Sequence, residues 1–356
     1  MLNEHIQPIS NEVAWEASAS AWDKIYAVDP FAMPTQSRKW AGAILRGSGS
    51  RQASRHYLFS DGHEAILPLF KKTLVPFTFS TLNSPPSSWG FGGVLAKEPL
   101  AAQHLEAILE DCSDIPGAAI SVRPNPLQAS EWLKAAVARG WSAVPKSSHV
   151  LSLEGGFEKV RKTRFSGNTR SKIRRAEKKG VTVEIGNNET LIASFERLFR
   201  RSIDRWARKQ HEFGWLAQLR GHIRDSSRKF RVMANCASGM FQVAIASHND
   251  KPVAGSIVLV DRNAHYTRGA MDDRLIGRTY ANYLLQARII ELACSRKCAH
   301  YHMGETGVSR SLAQFKGHFG AVAVPYAELW FEKVPIFSAD RTMRSGIKRL
   351  IGFTDV

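Results

Sequence analysis

Cysteine is scarce, acid is short and long apolar runs are missing. Four cysteines are too few to staple a chain of 356 residues. Cys112 and Cys236 stand alone. Cys294 and Cys298 share one face of a predicted helix, and two sulfurs without a second pair do not make a zinc site. All four are expected to be small buried side chains. No apolar run reaches the roughly 18 residues of a membrane span. The longest interior one, Pro252–Val260, is about half that, so no transmembrane helix is expected. The opening MLNEHIQPISNE has no basic segment leading into an apolar one, so no secretory leader is expected. Free thiols without a leader imply the cytoplasm. Familiar signatures are also missing. There is no Gly-x-Gly-x-x-Gly after a strand, no Gly-Lys-Ser/Thr phosphate loop, no Gly-x-Ser-x-Gly and no His-Glu-x-x-His. Gly47–Ser50 (GSGS) reads as a plain turn. Dehydrogenase, ATPase, serine hydrolase and zinc protease readings therefore have no support.

What is present is an ordinary globular balance with an unusual charge. Hydrophobic residues make up 44% and aromatics 10%, enough for a sizeable core. The length suits two domains at roughly 100–200 residues each. Basic residues number 49 against 32 acidic, a net charge of +17. That excess implies an anionic partner such as a nucleic acid, a phosphorylated substrate or an anionic membrane face.

Patterning implies alternating helices and strands in the first 150 residues. Ser10 or Asn11 is read as capping a helix through about Val28, and Pro34 as preceding a helix with Trp40, Ile44 and Leu45. Ser54–Ser60 and Glu64–Val75 read as a hairpin around Asp61–Gly62. Ser84–Gly93 (SPPSSWGFGG) reads as a loop. Helices near Leu100–Cys112 and Gln128–Arg139 flank a strand at Ala118–Val122. From Arg161 to Lys179 there are nine basic residues and one acid, Glu177. A strand at Val181–Ile185 and a long helix from about Glu189 follow, then strands at Phe230–Asn235, Phe241–His248, Val253–Val260 and Ala264–Gly269. After a helix at Tyr280–Ser295 come a strand Ala299–Met303, a loop Gly304–Gly307, a helix Ser311–His318 and a strand Val322–Phe331. Ala339–Ile351 reads as a basic amphipathic helix. The fold class implied is mixed α/β, with antiparallel strands dominant in the second half.

Two stretches suggest chemistry. A loop Arg274-Leu-Ile-Gly277-Arg278-Thr279 is expected just before the helix starting near Tyr280. Backbone N–H groups at a helix start, beside two arginines, suit a phosphate. The spacing approaches the Arg/Gln-x-x-Gly-x-Gly/Ala pyrophosphate loop of GNAT acyltransferases, an ordinary capping loop being the alternative. Farther on, Tyr301-His302-Met303-Gly304-Glu305 ends a strand, and Gln314-Phe315-Lys316-Gly317-His318-Phe319-Gly320 follows. Upstream lies Asn168-Thr169-Arg170-Ser171-Lys172-Ile173-Arg174-Arg175-Ala176-Glu177-Lys178-Lys179-Gly180-Val181.

In order and spacing, over roughly residues 30–335, these motifs resemble the Fem-type family. That family comprises peptidoglycan interpeptide-bridge transferases and GNAT-like relatives in polysaccharide biosynthesis. One departure is that His302 stands where the family often has an acid. The resemblance implies two GNAT-like domains with a cleft between them: 1–150, then 151–320 carrying the motifs. A segment 321–356 crosses back to the first domain. It implies transfer of an aminoacyl or acyl group to an amine of a cell-envelope precursor, with no metal and no permanently bound cofactor. The donor would be aminoacyl-tRNA or acyl-CoA, and the acceptor a nucleotide- or lipid-linked sugar, with peripheral contact at the inner membrane face. It makes Lys316 a cation for a developing oxyanion or a nearby phosphate, Tyr301 and His302 amine-positioning or proton-relay groups, and Glu305 a reserve base. Phe315 comes with the Lys316 motif. Tyr266 and Arg268 alternate on a strand and would face donor or acceptor from one side. Arg170, Lys172 and Arg174 would meet substrate phosphates, and Arg274, Gly277, Arg278 and Thr279 the donor's pyrophosphate. A nucleic-acid-binding protein without chemistry is the reading from another class.

Overall fold

The computed structural model describes residues 11–73, 79–210 and 212–335. The first part of the chain runs β1 (Asn11–Trp15), α1 (Ala19–Val28), α2 (Arg38–Ser48), β2 (Arg51–Gln52), β3 (Arg55–Phe59), β4 (Glu64–Leu67), β5 (Phe70–Thr73), β6 (Ser80–Ser84), β7 (Leu95–Ala96), α3 (Ala102–Asp114), β8 (Ala119–Val122), α4 (Ala129–Ala138) and β9 (Ser142–Ser152). The rest runs α5 (Gly156–Thr163), α6 (Gly167–Lys178), β10 (Thr182–Gly186), α7 (Glu189–Lys209), α8 (Gly214–Arg224), α9 (Ser227–Cys236), β11 (Phe241–His248), β12 (Lys251–Val260) and β13 (Ala264–Met271). Then come α10 (Asp273–Thr279), α11 (Ala281–Ser295), β14 (His300–Glu305), α12 (Arg310–Gly317) and β15 (Val322–Glu332). Eleven strands make one mixed sheet in the order β10-β11-β12-β13-β14-β9-β15-β8-β6-β5-β2, and β1-β3-β4-β7 form a second, smaller one.

Strand β11 shows why the large sheet needs cover on both faces. Val243 and Ile245 join a core with Phe195 and Leu198 of α7, while Ala244 and Ala246 join another with Leu284 and Ile289 of α11. Side chains alternate along a strand, so an apolar run with both parities filled requires a helix on either side. Helix α7 meets this with a long apolar stripe. Its start is fixed by Asn188, whose side chain accepts from the Leu191 N–H, and its last turn carries Arg208 and Lys209. The α7 core also takes in Trp22, Ile25, Trp40 and Ile44 of α1 and α2, so segments from both halves of the chain share one apolar interior.

The structure corrects several expectations. Residues 11–15 are a strand paired with β3, and the helix starts only at Ala19, where the Ser18 side chain accepts from the Ala21 N–H. The run Glu64–Val75 divides at Pro68 into β4, in the small sheet, and β5, in the large one. Proline offers no N–H to a ladder, so one continuous strand could not pass through it. Phe230–Asn235 lies within α9. Phe230, Met233 and Ala234 are the buried face there, a spacing of three and four rather than two. The basic stretch Arg161–Lys179 forms two helices, the second capped by the Ser166 side chain on the Thr169 N–H. The proposed helix Ala339–Ile351, with Ile336 and Phe337, lies outside the described residues.

The late strand β15 sits between β9 and β8. It pairs antiparallel with β9 from Val322↔Val150 to Trp330↔Ser142, and with β8 from Leu329↔Val122 to Glu332↔Ala119. Leu329 is fully buried in the core built on α3 and α4, and the Phe331 ring packs 5.5 Å from that of Trp141. Each such apolar side chain contributes roughly 1.5–3 kcal/mol when fully buried, and losing a central strand also strands the backbone groups of both neighbours. A chain ending at Gly320 is therefore expected to aggregate or unfold in its first half, whereas one ending at Val334 melts within a few degrees of the full chain. Thermal melts followed by circular dichroism check this. A soluble, equally heat-stable 1–320 protein would show that β15 is dispensable.

Candidate active site

Strands β13 and β14 run parallel but pair at only two positions, Ala264↔Tyr301 and His265↔His302. Beyond these they part. A smaller cavity of about 220 Å³ lies on one side of the opening, walled by Trp89, Phe91, Arg123, His265, Arg268 and Glu305. A larger, more apolar one of about 480 Å³ lies on the other, with Trp206, Ser256, Tyr283, Thr306 and Phe315 in its wall. Tyr266 lines both. Its ring is held over Gly269: a Cβ there would lie 1.7 Å from the Tyr266 hydroxyl, so only glycine permits this placement. Burial pushes the Tyr266 phenol up to about 12, so it remains a donor at neutral pH.

The first half of the chain supplies the front wall. The Gln36 side-chain amide donates to the carbonyls of Gly92, Gly93 and Val94, Thr35 Oγ1 donates to Phe91 O, and Trp40 Nε1 donates to Trp89 O. The loop read from Ser84–Gly93 is thereby a fixed wall. Gly90 adopts φ +96, and a Cβ on it would meet Thr35 Cγ2 at 2.4 Å and His265 Nε2 at 3.2 Å. Phe91 then reaches the rings of His265 at 5.5 Å and Tyr326 at 5.3 Å.

Lys316, on α12, is 4% exposed. Its ammonium donates to the carbonyls of Gly304 and Glu305, each at 2.8 Å, and neither cavity wall includes it. Burial pushes it down to about 7, opposed by Glu305. In this structure it therefore holds the end of β14 from behind. The Glu305 carboxylate lies in the smaller cavity's wall and accepts the Tyr326 hydroxyl at 2.5 Å, with Lys146 at 3.9 Å. Tyr301 faces away, its hydroxyl donating to Gln286 at 3.1 Å inside the α11 core. His302 is fully buried, with neither ring nitrogen hydrogen-bonded to protein. Burial, with His265 and His300 adding to it, holds it well below the usual imidazole range, so it is neutral at ordinary pH.

Arg268 shares the smaller cavity with Tyr266, although a register shift at Ile257/Val258 interrupts the simple alternation between them. Its guanidinium is not free. Nε and Nη2 clasp both oxygens of Asp225 at 2.9 and 2.8 Å, and Nη2 also donates to Ser88 O. Lys229 and Arg224 complete the shell around Asp225 at 3.0 and 2.8 Å. These cations hold the Asp225 carboxyl well below the usual carboxylate range despite burial. Sequence reasoning missed Asp225, Lys229, Arg123, Tyr326 and His265. Asp225 carried one weak signal, a single acid among arginines, but its partner Arg268 is 43 residues away.

The expected phosphate loop is not a loop. Arg274, Gly277, Arg278 and Thr279 belong to α10, which starts with the Arg274 N–H donated to the Asp272 carboxylate. Arg274, Gly277 and Arg278 are exposed, and Thr279 is buried with its hydroxyl on Leu275 O. Asp at the cap and first turn favours helix over open loop here. The α11 start that follows has no side-chain cap, and its Asn282 and Tyr283 line the larger cavity. Of the basic cluster, Arg170 is turned inward, onto the carbonyls of Lys162 and Phe165. Lys172 reaches Tyr283 Oη at 3.0 Å, and Arg174 is exposed. The one His/Asp cluster with metal-ligand spacing among the described residues, Asp61, His63 and His104, lies apart from both cavities, on the β3–β4 turn and α3.

Residues 161–316, less than half of the chain, match the family model described as an acetyltransferase (GNAT) domain. FemX superposes with a TM-score of 0.68 at 13% identity, covering 92% of this chain and 99% of its own. A conserved protein of unknown function from Bacteroides thetaiotaomicron VPI-5482 gives a TM-score of 0.54 at 10% identity, covering 90% of this chain and 98% of that one. No curated protein sequence matches. Residues 161–316 thus match a GNAT domain, and the chain as a whole shares its fold with FemX. Among the described residues no helix is long and apolar enough to cross a membrane.

The Lys316 environment has a pH signature. An unfolded lysine titrates near about 10.4, whereas Lys316 is lowered to about 7 in the fold. Between those values the unfolded chain binds the extra proton, so stability rises with pH across that window. Lys316→Met removes this contribution. The difference in urea midpoint between wild type and Lys316→Met should shift in favour of wild type from pH 7 towards pH 10; a difference that does not change with pH would mean the ammonium is not desolvated.

Proposed function

We propose that this acyltransferase moves an aminoacyl group from aminoacyl-tRNA onto an amino group of a cell-envelope precursor, peptidoglycan or polysaccharide, at the opening between β13 and β14. The observation that carries this reading is the pair of cavities meeting at Tyr266. Two substrates entering from opposite sides would bring amine and ester together there, which converts a bimolecular step into an oriented one. The amine nitrogen attacks the acyl carbonyl, the ester C–O bond breaks to release the tRNA ribose oxygen, and the proton that the amine gives up ends on that oxygen as a hydroxyl. The Tyr266 hydroxyl is a donor at the meeting point for the oxygen that gains charge. Glu305, half-buried and bonded to Tyr326, is the one carboxylate residue in either cavity wall and would relay the proton. Lys316 acts through the carbonyls of Gly304 and Glu305, keeping β14 in place and adding positive charge behind it. Tyr301, bonded into the α11 core, serves as packing in this reading. His302, neutral and fully buried, orients the strand pair rather than carrying charge.

The tRNA donor is favoured by two features. The segment expected to cradle a pyrophosphate is a capped helix, and the basic helix α6 borders the larger cavity through the Lys172–Tyr283 hydrogen bond. Acyl-CoA is the second reading, supported by the start of α11 at that cavity: Thr279 Oγ1 and Tyr280 O take the Ala281 and Tyr283 N–H groups, and the positive end of the helix dipole suits a phosphate. The proposed two-domain division, 1–150 and 151–320, with β15 of the segment after it returning to the first part, fits both.

Titrating aminoacyl-tRNA and acetyl-CoA at two salt concentrations separates them. With tRNA, affinity should fall steeply with salt because several phosphates are neutralised at once, and Lys172→Gln, Arg174→Gln and Arg175→Gln together should flatten the slope. Arg170 is left out of the set because it is bonded inward. With acetyl-CoA, binding should show a shallow slope and ignore the α6 changes. Binding of acetyl-CoA alone, with acetyl transfer, would replace the tRNA reading.

A further inference from the structure

Helix α8 is apolar on its outer side. Ala217 and Gly221 face inward, and a Cβ on Gly221 would meet Ile203 Cδ1 at 2.5 Å. Opposite them Trp215, Leu219 and Ile223 stand one above another at four-residue spacing, with Phe213 and Leu216 beside the row. They are exposed at 69, 50, 77, 74 and 39% in that order. No other helix among the described residues exposes more than two large apolar side chains. A contiguous apolar patch of this kind marks a contact surface.

Its surroundings are basic. From Arg200 to Arg231 there are ten basic residues and three acidic ones. The acids are engaged: Glu212 by Arg220 at 2.6 Å, Asp225 by Arg224 and Arg268, and Asp204 by the Gln218 amide. Arg200 and Arg208 of α7 and Arg228 of α9, the helices on either side of α8 in the chain, are exposed. An apolar row rimmed by arginine matches the boundary between acyl chains and anionic headgroups. A second copy of this chain would bring the same positive rim against it, which like-charge repulsion opposes.

We propose that α8 is an interfacial helix that seats the protein on an anionic lipid surface, its Trp215–Leu219–Ile223 row entering the bilayer boundary. Trp206 of α7 lies both against α8 and in the wall of the larger cavity. Seating α8 therefore brings that cavity's rim to the membrane, within reach of a lipid-held substrate. This last consequence rests on the acyl-transfer reading; the docking does not.

Vesicle co-sedimentation tests it without any turnover assay. Wild type should bind vesicles of equal parts phosphatidylcholine and phosphatidylglycerol at least about tenfold more tightly than pure phosphatidylcholine. Combined Trp215→Ser, Leu219→Ser and Ile223→Ser should lower binding to the anionic vesicles by tenfold or more with an unchanged thermal melt, because the three side chains are exposed. Combined Arg200→Gln, Arg208→Gln and Arg228→Gln should weaken binding severalfold and reduce its salt dependence. Unchanged binding by the serine variant, or no binding by wild type, overturns the proposal. Concentration-dependent dimerisation that the serine variant abolishes would assign the row to a second copy instead.

Discussion

The parallel pairing of β13 and β14 ends after two residues, and the rest of the site depends on where it ends. Had the ladder continued, the sheet would be closed and no substrate could reach its interior. Because it stops at His265↔His302, β13 keeps only its ladder with β12 and β14 only its ladder with β9 where the cavities open. Several independent devices hold that opening. The Lys316 ammonium takes two carbonyls at the end of β14. Asp225 anchors Arg268 on the β13 side, and Gly269 leaves room for the Tyr266 ring between the two spaces.

The first half of the chain serves the same opening from in front. Gln36 fixes three successive carbonyls of the 92–94 segment, and the loop before it carries Phe91 against His265 and Tyr326. Tyr326 belongs to β15, which bridges β8 and β9, and its hydroxyl ends on Glu305. The sheet is continuous through this bridge, so the cleft wall and the late strand stabilise one another. A buried cation under a strand end, a buried carboxylate among three cations and a neutral buried histidine are costly unless geometry compensates. Their concentration around one opening marks it as a candidate site.

Much of this was legible in the sequence, for physical reasons that differ by element. Strands β11–β13 and helices α7 and α11 were readable because their apolar periods are long and uninterrupted. The Phe315-Lys316 motif is contiguous in sequence, and the structure puts Phe315 in the larger cavity's wall and Lys316 under the end of β14. Alternation misled at Phe230–Asn235, where a short apolar run fits either period and tertiary contacts with α2 and α7 decided for helix. Motif spacing misled at Arg274–Thr279, where Asp272 caps a helix, with Asp273 in its first turn, through the expected loop. β9 carried no clear periodic signal: its first half, from Ser142 to Ser147, mixes apolar and polar residues, contains Pro145 and is exposed or half-exposed, and pairing with β14 and β15 makes it a strand. Asp225, Tyr326 and Arg123 were invisible because their roles arise from partners far along the chain.

The account turns on Tyr266 standing where the two cavities meet. Gly269→Ala tests that most directly, since the added methyl displaces the Tyr266 hydroxyl while leaving every proposed contact residue in place. Single-turnover acyl transfer, measured with whichever donor the salt titration selects, should fall by about a hundredfold, the scale of losing one oxyanion donor. Donor binding and the melting curve should change little. Full turnover in Gly269→Ala, with the fold intact, would contradict the meeting of substrates at Tyr266.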